Sequence, residues 1–215
     1  MRARNRRLEK RSSFDEWSRA ASKCIGSNHE KTGTPCQDSV LTKLFDNGVS
    51  VIALADGAGS SRYSHYGSDF ITKRTVEFIG ERFMEAVDPR CPFNDFKKRL
   101  IYQLQLELLE LSESGINFNE SERRRYGLPS SDEQQLVPCD IEDLSCTLLA
   151  IAIRENKYLA IHLGDGVIGS EIEIYGKRWM RTISVPDNGE FANETHFITS
   201  KEAADKTRGF HGRLD

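Results

Sequence analysis

The stretch Val49-Ser50-Val51-Ile52-Ala53-Leu54-Ala55, followed at once by Asp56-Gly57-Ala58-Gly59-Ser60-Ser61, restricts the fold more than any other part of the chain. A strand with one face in water alternates polar and apolar residues. Here Ser50 is the only polar interruption, so both faces are covered and the strand lies inside a layered structure. It ends on a carboxylate next to glycine. A carboxylate at the end of a buried strand is costly unless it is solvated, paired or bound to a cation. Asp56 alone is open to two readings, a turn or cap residue and a ligand.

The remaining segments supply the layers. "DSVLTKLF" is joined to the buried strand through Asp46-Asn47-Gly48, a hairpin signal. From Tyr66 to Val87 the period changes, with Val76, Ile79, Phe83 and Val87 at steps of three and four, which predicts an amphipathic helix. A second helix opens at Pro92, carries Phe96, Leu100, Leu104, Leu108 and Leu111 in one stripe, and stops near Gly115. The two should form an antiparallel pair lying on a sheet. Residues 117–140 are charged and aperiodic, and are expected to be a mobile loop, because they bury too little to offset ordering entropy. Strands return in "SCTLLAIAIR", "YLAIHL", "VIGSEIEIY" and "RWMRTISV", with turns at Glu155-Asn156-Lys157 and Gly176-Lys177. These hairpins exclude a simple alternating βαβ protein. The expectation is an α+β fold of two packed antiparallel sheets covered by helices.

A chain of 215 residues makes one substantial domain, taken as 14–215 after a basic flexible tail at 1–13. The net charge of −3 gives no general preference for nucleic acid or an anionic membrane. No window approaches the ~18 apolar residues of a membrane-spanning helix. Five cysteines at irregular spacing argue against a disulfide framework and for a reducing, cytoplasmic location. Cys24, His29 and Cys36 match no common zinc spacing and lack a fourth ligand. Gly164-Asp165-Gly166-Val167-Ile168-Gly169 has the letters of a dinucleotide fingerprint, but a hairpin follows it where a helix is required.

Three acidic residues stand at strand ends beside glycine or a small residue: Asp38 in "PCQDSVL", Asp56 in "LADGAGSS" and Asp165 in "HLGDGVIG". Strand ends on one edge of a sheet can converge on one point. Hard divalent cations such as Mg²⁺ and Mn²⁺ take oxygen ligands, and glycine after Asp56 lets a backbone carbonyl reach the ion.

The ordered segments "GSNHEKTGTPCQDSV", "VIALADGAGSSRYSHYGSD", "LSCTLL" and "YLAIHLGDGVIG" resemble the metal-dependent type 2C (PPM-like) serine/threonine protein phosphatases, in particular their bacterial branch. The resemblance spans about residues 18–200. It implies a four-layer α-β-β-α sandwich and a binuclear Mg²⁺ or Mn²⁺ centre, with a third, weaker metal position. Asp56 matches the carboxylate that bridges both metals, Gly57 the residue whose carbonyl ligates one, Asp38 the acidic residue of the first motif, and Asp165 a ligand of the additional metal. The implied reaction is hydrolysis of phosphoserine or phosphothreonine on proteins by a metal-activated water, with Asp38 and Asp56 as the catalytic carboxylates. The implied partners are a phosphoprotein substrate and a cognate protein kinase, with no nucleic acid and no membrane.

The chain departs from the family pattern in several places. Gln37 stands where many members have Glu, which removes a negative charge. Ala58 stands where eukaryotic members carry a proton-donating histidine. The phosphate-gripping arginine has no clear match, and His29 and Arg62 are the candidates for that role. The later S-D-G-x-x-D and closing D-N motifs are not found after Ser200, and Asp187-Asn188 comes too early. The domain is therefore expected to lack its C-terminal motifs and its terminal strand, leaving a sheet edge unpaired and the isolated chain catalytically weak. A phosphatase-like binding or regulatory module that no longer catalyses is the alternative.

Overall fold

The computed structural model describes residues 17–129, 135–186 and 195–214. The basic tail at 1–13, Asp187-Asn188 and the centre of the 117–140 segment lie outside them. A short helix α1 (Ser27–Thr32) leads into the strands β1 (Ser39–Leu44) and β2 (Ser50–Ala55). Their hairpin closes as expected, with Asn47 Oδ1 accepting from the Val49 N–H at 3.0 Å. Two long helices follow, α2 (Ser64–Ala86) and α3 (Phe93–Ser114). The short helix α4 (Glu120–Tyr126) and a 3-10 turn (Ile141–Leu144) come next. After β3 (Leu148–Arg154) and β4 (Lys157–Leu163) come the β5 (Ile168–Ile174) and β6 (Lys177–Ser184) hairpin, the turn-length helix α5 (Ala203–Lys206) and β7 (Arg208–Arg213).

Two antiparallel sheets result, one of five strands in the order β1-β2-β3-β4-β7 and one formed by β5 and β6. Helices α2 and α3 cover one face of the larger sheet. Val51, Ala53 and Ala55 of β2, Leu148, Ala150 and Ala152 of β3, and Leu159, Ile161 and Leu163 of β4 turn inward to meet Ile79, Phe83, Leu100, Leu104 and Leu108. Small residues in the sheet opposite large ones on the helices let the layers approach closely. The helix pair is also tied by a bidentate ion pair, Arg74 Nε and Nη2 donating to Glu107 at 2.7 and 2.8 Å.

One strand was not foreseen and one expectation is corrected. The unforeseen strand is β7, which lies along β4 from Lys157↔Arg213 to His162↔Arg208 and forms an edge of the larger sheet. With two glycines and one apolar residue, "RGFHGR" carries no strand signal of its own. Its fit is tertiary: a Cβ on Gly209 would come within 2.6 Å of the Phe93 ring, so glycine lets the strand close on α3. The described part of the 117–140 segment, expected to be an irregular loop, contains α4. Asn119 and Glu122 form a reciprocal capping box and Gly127 closes the helix in the left-handed region. Arg123 is 3% exposed, its guanidinium donating to the carbonyls of Phe118, Pro129 and Gln135.

Candidate active site

Antiparallel register decides which residues share an end of the large sheet. Ser39 lies opposite Ala55, Leu54 opposite Leu149, and Leu148 opposite Leu163. Asp38 just before β1, Asp56 just after β2, Thr147 just before β3 and the Gly164-Asp165-Gly166 turn after β4 therefore emerge together. All three carboxylates singled out from the sequence are at that end.

The turn after β2 is held on several sides. The Thr147 N–H donates to the Asp56 carbonyl at 2.9 Å, and the Thr147 hydroxyl accepts from the Asp56 N–H at 3.0 Å. Gly57 bridges to Cys146, and the Ala58 N–H donates to the Ser145 carbonyl at 2.9 Å. A Cβ on Gly57 would stand 2.7 Å from the Gln37 carbonyl oxygen and 2.9 Å from the Ser64 side chain. Only glycine fits there, and the close approach makes the turn a packed element.

The turn after β4 is held by its backbone. Gly164 has φ +114, and its carbonyl lies 2.8 Å from Nε2 of His162, a fully buried residue. A carbonyl can only accept, so Nε2 carries the proton and Nδ1 accepts from the Ser184 hydroxyl at 2.6 Å. Arg208 rests against the same ring and also donates to the Val185 carbonyl. The Thr147 methyl packs on Gly164, so one residue touches both carboxylate-bearing turns.

The carboxylates feel one another. Crowding by surrounding protein, a hydrogen bond with the Asp38 carboxyl, and the charges of Asp38 and Asp165 push Asp56 up from 3.8 to about 6. Carboxylates held close together repel one another and hold protons more tightly, and a cation bound between them would relieve that repulsion. Among the described residues, no group of three or more His, Cys, Asp and Glu side chains stands at metal-ligating distance. The carboxylates of Asp38 and Asp56 are oxygen donors of the kind a hard dication takes together with water. The nearby Cys146 thiol is pushed well up by full burial.

Neither of the phosphate-binding candidates, His29 on α1 and Arg62, makes a described contact with the three carboxylates. Arg62 donates to the Tyr126 carbonyl at 2.6 Å and lies over the rings of Tyr63 and Tyr126. It docks α4 onto the start of α2. Thr147, Ser64 and His162 support the site and were not singled out from the sequence. The one available signal was that each lies within or beside a segment bearing a carboxylate or its neighbour.

The protein phosphatase 2C family model matches residues 25–214. Serine/threonine-protein phosphatase 3 of Escherichia coli is 21% identical over 199 residues, covering 90% of this chain and 67% of that protein. Among solved structures, a bacterial serine phosphatase superposes with a TM-score of 0.52 at 13% identity, covering 84% of this chain and 68% of the other. A serine/threonine phosphatase of Staphylococcus aureus gives 0.50 at 13%, covering 84% and 66%. At such identities the superpositions establish the fold. Among the described residues, no helix is long and apolar enough to cross a membrane.

Proposed function

The chain belongs to the protein phosphatase 2C family, and from that premise we propose that it hydrolyses phosphoserine and phosphothreonine in proteins at the Asp38–Asp56 end of the large sheet. The observation that carries this reading is the emergence of Asp38, Asp56 and Asp165 at one end of the large sheet, with Asp56 raised to about 6 by burial and by its acidic neighbours. Asp56 and the Gly57 carbonyl would hold Mg²⁺ or Mn²⁺, with Asp38 on the adjoining side and Asp165 serving a further, weaker position. Bound there, two such ions supply a water of lowered pKa and neutralise phosphoryl oxygens.

The chain's own residues keep the acceptors in place. Thr147 fixes the Asp56 backbone through both its N–H and its hydroxyl, so the carboxylate leaves the strand in one direction. Asp38, one residue before β1, is held across from it by the Ser39–Ala55 pairing. Ala58 has no proton to give, so the leaving seryl or threonyl oxygen must take its proton from another acid. His29 and Arg62 remain the candidates for gripping phosphate. For Arg62, that role would require its guanidinium to leave Tyr126.

Phosphate release from a phosphothreonine peptide, measured with Mn²⁺, with EDTA and after iodoacetamide, tests the reading. Turnover that needs Mn²⁺, survives alkylation and disappears in Asp56→Asn is expected. Activity that survives EDTA but not alkylation would overturn the mechanism. Metal binding without turnover would favour a phosphatase-like binding module.

A further inference from the structure

We propose that Gln37 is a positioning residue that ties the Asp38 segment to the Asp56-Gly57 turn and so sets the spacing of the two carboxylates, an inference that rests on reading those carboxylates as a metal pair. Gln37 is 8% exposed and immediately precedes Asp38. Its side-chain Nε2 donates to the Ser64 hydroxyl at 2.7 Å and to the Ala58 carbonyl at 3.4 Å. The Ala58 carbonyl can only accept, which places the amide nitrogen towards it. The Gln37 backbone carbonyl accepts from the Ser68 hydroxyl at 2.6 Å. Gly57 lies against the same carbonyl oxygen and against Ser64, with no space for a Cβ.

The anchor for all of this is the first half of α2. Ser64, Ser68 and Thr72 recur every four residues, all fully buried, and so line one face of the helix. Thr72 continues the seam to the Ser39 hydroxyl at 2.9 Å. Hydroxyls on a 23-residue helix thus hold the start of β1 and the turn after β2 through short contacts. Buried groups with all partners present are rigid, and leaving one unmatched is costly. An amide at 37 meets both an acceptor carbonyl and a hydroxyl without adding charge. A carboxylate would set oxygen against the Ala58 carbonyl and put a third negative group beside Asp38 and Asp56. Loss of negative charge is therefore the lesser consequence of Gln37; the gain is a donor.

Three variants separate positioning from plain stability. Gln37→Met keeps the length and removes the donor, Ser64→Ala removes its principal partner, and Thr72→Val breaks the same seam away from the turn. Hydrogen exchange on metal-free protein should show faster exchange across 57–61 in the first two, and unchanged exchange there in Thr72→Val at a matched loss of thermal stability. Mn²⁺ titration should show roughly tenfold weaker binding in Gln37→Met and Ser64→Ala than in wild type. Exchange across 57–61 that is the same in Gln37→Met as in Thr72→Val overturns the proposal. If Gln37→Met does not fold, Ser64→Ala carries the comparison. If wild type itself binds no Mn²⁺, the metal reading fails, while the exchange comparison still decides whether Gln37 holds the turn.

Discussion

The turns after β2 and β4 each present one aspartate at the same end of the sheet, yet they are built differently. The first is gripped by side chains from three segments: Gln37 before β1, Ser64 on α2 and Thr147 before β3. The second is held by the Gly164 carbonyl on His162 and by close packing of Gly164 on Thr147 and of Gly166 on Leu149, and it leaves Asp165 exposed. Asp56 is crowded enough to be raised to about 6, with Asp38 and Asp165 both contributing. The contrast fits a division of labour. A carboxylate shared by two cations must be placed closely, whereas a ligand of an outer ion tolerates slack and water.

If that division is right, the two aspartates should differ most in turnover. Asp56→Asn is expected to lower Mn²⁺-dependent phosphopeptide hydrolysis by a factor on the order of 10³, near the barrier change of about 4 kcal/mol for losing a metal's contribution. Asp165→Asn should cost about tenfold, partly recovered at high Mn²⁺. Equal losses in steady-state assays would erase the distinction.

The next effect is on packing. Gly57→Ala forces a methyl to 2.7 Å from a backbone oxygen, and overpacking of this kind costs about 1–3 kcal/mol. Gly59→Ala, two residues on, meets nothing within 4 Å and should change stability by less than about 0.5 kcal/mol. Chemical denaturation of both variants measures the difference, and a harmless Gly57→Ala would mean the first turn is not tightly packed.

Smallest is the pH effect in metal-free protein. The folded-state pKa of Asp56 is raised from 3.8 to about 6. The folded state therefore holds this proton better than the unfolded chain. The associated stability is complete below pH ~4 and is lost as pH rises through about 6. Solvent reaches the carboxylate, so the loss should be on the order of 1 kcal/mol. Melting temperatures of wild type should fall relative to Asp56→Asn between pH ~4 and ~7. Parallel curves would show that Asp56 is not crowded by its neighbours.

Both turns could be read from their letters, because an apolar run ending in Asp-Gly has few structural uses. Helices α2 and α3 were legible because their periodicity matches the faces they bury, as with Phe96, Leu100, Leu104 and Leu108 on α3. Strands β1 to β6 were legible from apolar runs and turn signals, although β6 is largely exposed and Leu54 on the second face of β2 is 37% exposed. The support around the turns was not legible. Ser64 and Thr147 act through contacts more than 20 positions away in sequence, and His162 through Gly164 two residues on and Ser184 beyond; a hydroxyl or imidazole at such a place has no local pattern. Strand β7 escaped because pairing with β4 and packing on Phe93 outweigh its glycines. Helix α4 did have a signal, Asn119-x-x-Glu122 with Gly127 behind it, but its charge masked the capping pattern. Gln37 was legible as a missing carboxylate and not as a donor, since its partners Ser64 and Ala58 are set by the fold.

The most direct test of the account is a calorimetric titration of Mn²⁺ into metal-free wild type, Asp56→Asn and Asp165→Asn under one set of conditions. The account predicts strong binding to wild type, loss of that binding in Asp56→Asn, and removal of only a weaker event in Asp165→Asn. Binding by Asp56→Asn indistinguishable from wild type would contradict it.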